Sequence, residues 1–285
     1  MEIPCEYVKK NTDLCENLQY PIVSEENESR PPFKRPFKHF TTPKTDNKEF
    51  VFGVQSVLET LRSGKEIDRL LVQRELGNTE ILDLAREKGI HVQKVPLEKL
   101  NRITRKNHQG AIAFVSAIHY AKLENVIADT FEKGQIPLVI ILDRITDVRN
   151  FGAIARTAEC AGAHAIVIPA RGAAQINADA MKTSSGALNF IPVCREESLL
   201  QAVDFLQNSG LKVIACTEKT KNSVYAVDYS SPVAIILGSE EDGISDELIR
   251  KSDELAAIPQ SGQVGSLNVS VATGVIVFEA IRQRI

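Results

Sequence analysis

The segment GSLNVSVATG, residues 265–274, continues directly into the apolar run VIVFEAI near the C-terminus. Its length and apolar content predict a core helix, yet the segment begins with the polar residues Ser266, Asn268, Ser270 and Thr273. A polar group buried without a partner costs about 1–3 kcal/mol. Either these residues cap and bend the helix, or they face something polar that the protein holds. Capping uses only one of them, so the segment predicts a helix whose first turn belongs to a binding site.

The composition is that of an ordinary globular protein, with 43% hydrophobic and 25% charged residues among 285. The net charge of -3 means that a nucleic acid would have to bind a local basic face. The chain has no apolar run long enough for a membrane span, and its acidic N-terminus does not resemble a signal peptide. Five cysteines without a C-x-x-C pair and five scattered histidines predict a reduced, cytoplasmic protein with no metal site.

Three regions differ in pattern along the chain. Residues 1–48 hold six of the 12 prolines and show no periodicity, which predicts a disordered tail. Within it, RPPFKRPFK at 30–38 is interpreted as a solvated linker in preference to a phosphate-contacting and base-stacking patch. Alternating strands and helices predict a small α/β domain at 49–118, a linker at 119–136 and a second α/β domain at 137–285.

Helical and strand periods divide the two domains further. In the first domain, residues 50–64 read as one helix ended by a glycine, and the next helix is capped by Asn78. In the second, LVIILD, AIVIP, NFIPV, KVIAC and VAIILG are continuous apolar strands, which are typical of a parallel sheet covered on both faces. Ligands of such sheets bind outside the carboxyl ends of the strands.

Polar turns follow three of the predicted strand ends. The first carries Asn150 and Arg156 at the start of a helix, where an anion could bind, although a cap and a surface ion pair would also explain them. In the second, Gly238 permits close approach to a ligand and Glu240 follows directly. This turn has P-loop spacing but carries Ile244 in place of lysine, which disfavours nucleoside triphosphates, and the chain has no G-x-G fingerprint. The third turn is IPQSGQVGSLNVS. All three lie on one predicted edge of the sheet.

Together the segments DRITDVRNFGAIARTAECAGA, IILGSEEDGIS and IPQSGQVGSLNVSVATG resemble the three motifs of the SpoU/TrmH family of RNA ribose 2′-O-methyltransferases, in the SPOUT superfamily. The resemblance covers 137–285, and FGVQSVLETLRSG and NHQGAIAFV resemble the family's L30e-like substrate-binding domain. It implies an α/β fold of SPOUT type, with a parallel sheet and a C-terminal trefoil knot. It also implies an obligate homodimer, S-adenosylmethionine as methyl donor and RNA as substrate. The subgroup most similar to the chain is the bacterial 23S rRNA guanosine 2′-O-methyltransferase type.

The resemblance also implies which residues form the site. The implied catalytic residues are Asn150, Arg156, Glu240, Asn268 and Ser270. The implied cofactor-binding residues are Leu237, Gly238, Ile258, Ser266, Leu267 and Asn268. The family pattern assigns Arg156 to activation of the hydroxyl, but arginine keeps its proton above about pH 12. We therefore favour Arg156 as an electrostatic stabiliser of the developing alkoxide or an anchor for the adjacent phosphate.

A second group of residues is expected to contact RNA. The loop TRKNHQG presents Arg105, Lys106 and His108, and we expect these side chains and Arg149 to bind RNA. An ordinary surface turn is the alternative. Two other functions stay open: a tRNA ribose 2′-O-methyltransferase, and a non-catalytic RNA-binding or ribosome-assembly protein of the same fold.

Overall fold

The computed structural model describes residues 50–76, 79–263 and 265–285. The predicted tail at 1–48, its basic segment at 30–38 and the predicted cap Asn78 lie outside these ranges. Residues from 50 onward belong to one compact unit that contains two β-sheets. No helix of the described residues is long and apolar enough to cross a membrane.

The first sheet has four strands in the order β1-β4-β2-β3, and only the pair β2 and β3 is parallel. The strands are β1 (Phe50–Phe52), β2 (Ile67–Gln73), β3 (Val92–Val95) and β4 (Ala111–Val115), with helices α1 (Val54–Arg62), α2 (Thr79–Glu87) and α3 (Leu97–Ile103). The single helix predicted for 50–64 is therefore wrong at its start. Residues 50–52 pair with β4, and Gly53 turns the chain at a φ of 93°, a conformation that glycine adopts without strain.

The second sheet has six strands in the order β10-β8-β9-β5-β6-β7, all of them parallel. Its strands are β5 (Leu138–Asp143), β6 (Ala165–Pro169), β7 (Val193–Glu196), β8 (Lys212–Cys216), β9 (Val233–Gly238) and β10 (Glu254–Ala256). Its helices are α4 (Leu123–Glu132), α5 (Val148–Cys160), α6 (Ala178–Thr183), α7 (Leu199–Asn208), α8 (Asp246–Lys251) and α9 (Val269–Arg282). Buried apolar clusters cover both faces, as the continuous apolar strands predicted.

The order of the strands determines where the polar turns meet. β5 and β9 are neighbours in the middle of the sheet, and their last residues, Asp143 and Gly238, are paired in register. The chain runs outward from β5 in one direction and from β9 in the other, so the two strands flank the point where the strand order reverses. Crevices at such points are the usual ligand sites of open parallel sheets.

A buried polar cluster joins the two sheets. The Tyr120 hydroxyl donates to Asp68 Oδ1 at 2.5 Å, and Arg195 Nη1 donates to the same oxygen at 3.4 Å while its guanidinium lies 4.1 Å from the Tyr120 ring centroid. Burial raises the pKa of Asp68. The backbone of Ala121 donates to the carbonyl of Val193 at 2.9 Å. The segment predicted as a linker, 119–136, is thus hydrogen-bonded to the second sheet near its start and continues as α4.

Candidate active site

Asn150, Glu240 and Asn268, one from each polar turn, are joined by direct hydrogen bonds. Asn150 Nδ2 donates to Glu240 Oε1 at 3.1 Å, and Asn268 Nδ2 donates to Asn150 Oδ1 at 3.0 Å and to Glu240 Oε1 at 2.5 Å. The backbone N–H of Val269 also points to Glu240 Oε1, at 3.5 Å. Segments 28 and 118 residues apart in sequence therefore meet at one edge of the sheet.

Helix capping leaves these side chains available. Asp147, and not Asn150, caps α5, because its carboxylate accepts from the backbone N–H groups of Arg149 at 2.8 Å and Asn150 at 2.9 Å. Asn268 caps α9 through Oδ1, which accepts from the backbone N–H of Ser270 at 3.0 Å and from its hydroxyl at 2.5 Å. The cap uses the oxygen of Asn268 and leaves its amide nitrogen to hold Asn150 and Glu240.

The remaining polar residues at the start of α9 have separate partners. The hydroxyl of Thr273 donates to the carbonyl of Val269 at 2.7 Å inside the helix, and Ser270 bonds only Asn268 among the described residues. Ser266 instead lines a neighbouring cavity. The polar start of this apolar helix therefore serves a cap, an internal hydrogen bond and a site at once.

A cavity of about 610 Å³ adjoins Glu240. Its lining includes five residues expected to bind the cofactor, namely Leu237, Gly238, Ile258, Ser266 and Leu267, together with Glu240. Asn268 does not line the cavity, because its side chain is held by Asn150 and Glu240. The volume lies in the range of small-molecule and cofactor sites.

The chemistry of the walls suits a nucleoside that carries a positive charge. Leu267 is 41% exposed although it is apolar, and Ile258 also lines the cavity, so both offer apolar surface to a base. Four acidic residues, Glu218, Glu240, Glu241 and Asp242, line the cavity against one lysine, Lys221, so the local charge favours a cation there. S-adenosylmethionine combines these two properties, and the residues present fit it.

One wall of the cavity was missed by the sequence analysis. Five residues after β8 line it, namely Thr217, Glu218, Thr220, Lys221 and Ser223. The rule that ligands bind outside the carboxyl ends of parallel strands would have found this segment, because β8 neighbours β9. The segment carries no glycine-rich turn, which is the feature that marked the other ligand-binding turns in the sequence.

Gly238 has a packing role that the sequence analysis did not predict. A Cβ at this position would lie 2.1 Å from the backbone carbon of Gly243 and 2.3 Å from the backbone nitrogen of Ile244. The space that a side chain would need is filled by the following loop, 239–244, while Gly238 itself lines the cavity. A Cβ at Gly262 would meet nothing within 4 Å, so that glycine is not required by packing within the described residues.

Arg156 lies outside the hydrogen-bonded group. It is exposed on α5 and makes no hydrogen bond or ion pair with any residue that the structure describes. Six residues of helix place it about 9 Å along the axis from Asn150 and about 120° around it. Arg149 is also exposed, at the first turn of α5. Neither charge is neutralised by a side chain of the described part of this chain.

His108 is a structural residue and not a free RNA contact. It is 5% exposed; its Nδ1 accepts from the backbone N–H of Gly110 at 3.1 Å, and its Nε2 lies 3.0 Å from Asn101 Oδ1. Because Nδ1 accepts, the proton is on Nε2, and both ring nitrogens are occupied. The expectation for His108 is corrected on this ground, whereas Arg105 and Lys106 are exposed beside it.

Comparisons with known proteins identify the family of the chain. The family model of the SpoU rRNA Methylase family matches residues 137–278, and that of an RNA 2′-O ribose methyltransferase substrate binding domain matches residues 50–121. The chain is 34% identical over 239 residues to a putative TrmH family tRNA/rRNA methyltransferase, YacO, of Bacillus subtilis, covering 83% of this chain and 96% of that protein.

One further relative and one solved structure are also named as rRNA methyltransferases. A 23S rRNA (guanosine-2′-O-)-methyltransferase, RlmB, of Vibrio parahaemolyticus is 32% identical over 250 residues, covering 83% of this chain and 98% of that protein. The solved structure of an AdoMet-bound rRNA methyltransferase from Sinorhizobium meliloti superposes with a TM-score of 0.54 and 27% identity, over 83% of this chain and 87% of that one.

Proposed function

Because this chain belongs to the SpoU rRNA methylase family and is an RNA 2′-O-methyltransferase, we propose that it methylates a guanosine ribose of 23S ribosomal RNA with S-adenosylmethionine. The observation that carries the proposal is the hydrogen-bonded group of Asn150, Glu240 and Asn268 beside a cavity that fits the methyl donor. The choice of 23S RNA is supported by the similarity to the Vibrio enzyme.

The cavity would hold the cofactor through the backbone and side chains of Leu237, Ile258, Ser266 and Leu267. When bound, its sulfonium supplies an electrophilic methyl group. The apolar residues pack against the nucleoside, and the carboxylate of Glu218 favours the positive charge. These walls are contributed by the strand ends of β9 and β10 and by the start of α9, so the cavity depends on the second and third motifs.

Glu240 is positioned to orient the ribose hydroxyl. Its Oε1 is occupied by the amides of Asn150 and Asn268, whereas its Oε2 has no hydrogen bond to any described residue. We assign to Oε2 the acceptance of a hydrogen bond from the 2′-hydroxyl, which directs an oxygen lone pair toward the methyl group. The two amides fix the plane of the carboxylate, and positioning of this kind contributes strongly to an in-line displacement.

Arg156 and Arg149 are proposed to contact the phosphates that flank the target ribose. Both are exposed, and Arg156 is without a partner among the described residues. An arginine there would stabilise the developing alkoxide and leave the proton to water or phosphate. Arg105 and Lys106 are proposed to bind the RNA backbone at a distance from the reaction, and Ser270 to support the orientation of Asn268.

We also propose a homodimer that forms through α5 and α9. The outer side of α9 exposes Val271 and Phe278 by 53% and 50%, and Gly274 and Val275 lie between them. These positions recur at the spacing of one helix face, beside Thr157 of α5. A second copy covers this apolar face in the proposed assembly, which places Arg156 at the subunit boundary.

The remaining proposals rest on family membership. They are a trefoil knot formed by the segment before α9, an L30e-like fold for the first domain at 49–118, and action in the cytoplasm, where ribosomal RNA is modified. The division into a tail, a substrate-binding domain, a linker and a catalytic domain at 137–285 also stays a proposal.

The function is tested by mapping 2′-O-methyl marks on total RNA from cells with and without the gene. Complementation uses the wild-type gene, Glu240→Gln and a matched control, Glu247→Gln, whose carboxylate is exposed on α8. We expect one guanosine mark in 23S RNA to disappear and to return with the wild type and the control but not with Glu240→Gln. A mark lost from tRNA instead would refute the assignment to rRNA. Loss of no mark, together with no calorimetric signal for S-adenosylmethionine, would favour the non-catalytic alternative.

A further inference from the structure

Arg144, directly after β5, has an unusual backbone conformation. Its φ is 57°, in the left-handed region that glycine occupies readily and a bulky side chain does not. Such outliers persist when surrounding contacts hold them, and they concentrate at functional sites. A glycine would adopt this φ without strain, so the arginine side chain is expected to make contacts that a glycine could not make.

The Arg144 guanidinium links two strand ends of the sheet. On one side, Nε donates to Asp143 Oδ1 at 3.1 Å and Nη2 lies 3.4 Å from Asp143 Oδ2. On the other side, Nη1 donates to Asp242 Oδ2 and Nη2 donates to the carbonyl of Gly243, both at 3.2 Å. Asp143 is 5% exposed and also accepts the backbone N–H of Ser245 at 2.7 Å. The end of β5 is thereby fastened to the loop that follows β9.

That loop, 239–244, carries Glu240. It is folded tightly over Gly238, with the backbone N–H of Gly243 donating to the carbonyl of Ser239 at 3.0 Å and that of Asp242 donating to the Ser239 hydroxyl at 3.1 Å. Glu240 extends from it to the two asparagines. The loop therefore has two side-chain attachments, one through Glu240 to the proposed reaction site and one through Arg144 to β5.

We propose that Arg144 is a positioning residue: it holds the loop 239–244 and thereby sets the place of Glu240 and of one wall of the cofactor cavity. Arg144 touches neither the cavity nor the asparagines, so it acts through the loop. The consequence for catalysis rests on the proposed function. The consequence for the order of the loop rests only on the hydrogen bonds of Arg144.

Stabilisation of the fold alone does not explain this residue. The side chain of Arg144 is 39% exposed and that of Asp242 is 69% exposed, and exposed ion pairs contribute little to stability. Glycine would adopt the same φ without strain. The pair with the buried Asp143 contributes to stability, but it does not require the further hydrogen bonds to Asp242 and to the Gly243 carbonyl, which hold the loop.

The test compares Arg144→Gly and Arg144→Lys with the wild type. Ser185→Gly is the matched control, because Ser185 also has a left-handed φ, 52°, and its side chain has no hydrogen bond to a described residue. Hydrogen–deuterium exchange of the 239–245 peptide is measured without cofactor, and thermal unfolding and calorimetric titration with S-adenosylmethionine follow. Methyl transfer is measured on RNA extracted from cells that lack the gene.

We expect Arg144→Gly to lower the unfolding temperature, because it leaves the buried Asp143 carboxylate without its cationic partner, and to accelerate exchange in 239–245 more than in the peptides of the other strand ends. Cofactor affinity and kcat/KM should fall together by about 10–100-fold, the scale expected for a displacement near 1 Å in an active site. Arg144→Lys should recover part of the loss, since it retains the charge but not the planar fork. Ser185→Gly should change none of these quantities.

Two results would overturn the proposal. Unchanged exchange of the 239–245 peptide in Arg144→Gly would show that the guanidinium does not hold the loop, whatever the protein catalyses. Accelerated exchange with wild-type cofactor affinity and turnover would show that the loop is held but that the site does not depend on it. A wild-type protein without cofactor binding or turnover would refute the proposed function, and the exchange result would still decide the attachment.

Discussion

Replacement of Gly238 by alanine is the most direct test of how the site is built. The new Cβ would lie 2.1 Å from the Gly243 backbone carbon and 2.3 Å from the Ile244 nitrogen, and real Cβ atoms essentially never come within 3.0 Å of a non-bonded heavy atom of a residue that is not a chain neighbour. Because both obstacles are backbone atoms, no side-chain rotation relieves them. The loop 239–244 must move by roughly 1 Å, and overpacking of this kind costs about 1–3 kcal/mol.

The displacement should reach Glu240, which lies on the same loop. A misplacement of about 1 Å in an active site lowers turnover by roughly 10²-fold, and the destabilisation should lower the unfolding midpoint by about 2–4 °C per kcal/mol. Thermal unfolding, calorimetric titration with S-adenosylmethionine and methyl transfer measure the three effects. Gly262→Ala is the control for folding, since its Cβ would meet nothing within 4 Å. A Gly238→Ala protein with wild-type stability and cofactor affinity would refute the packing argument.

The structure supports three further predictions. Iodoacetamide at pH 8 should modify Cys160 before Cys194 and Cys216, because Cys160 is exposed while burial raises the pKa of the other two thiols to about 12; equal rates in a peptide mass map would contradict this. Gly274→Ala should weaken the dimer in sedimentation and lower the unfolding midpoint, since its Cβ has only an ordinary contact at 3.9 Å within the chain and would meet the second copy of the proposed dimer. An unchanged dimer with a raised midpoint, as expected of alanine in a free helix by about 0.5–1 kcal/mol, would contradict the proposed interface. Burial raises the pKa of Asp68 above 3.8, so the carboxyl group binds its proton more tightly in the native state than in the unfolded state. The free energy of unfolding should therefore decline as pH rises through the raised pKa. Asp68→Asn should flatten that part of the pH–stability curve.

Local patterns predicted the regular elements of the second sheet well. The strands LVIILD and VAIILG are β5 and β9 at the predicted residues, since continuous apolar runs bounded by polar turns have few alternatives. Two predictions from the same kind of pattern were wrong. The run NFIPV joins the sheet only from Val193, because residues 187–189 form a 3₁₀ turn, and Phe50–Phe52 became a strand through pairing with β4. Strand pairing is a long-range contact that a local pattern does not contain.

For the candidate site, too, some features could be predicted from the sequence and others could not. The sequence predicted the polar turns and their meeting at one edge of the sheet, because parallel strands place their carboxyl ends together. The contacts of individual side chains could not be predicted: Asp147 caps α5, where a cap by Asn150 was one of the explanations left open, and His108 is directed inward to Asn101. Arg156, which the resemblance implied as catalytic, is exposed and lies outside the hydrogen-bonded group.

By itself the sequence determined a parallel α/β sheet, its polar edge and a family resemblance. Apolar strands and polar turns are local features, so they can be recognised from consecutive residues. Only the tertiary structure decided that Gly238 makes room for the protein's own loop and that Arg144 fastens that loop to β5. The physical reason is that close packing and hydrogen bonding depend on distances of a few tenths of an ångström between segments about 100 residues apart.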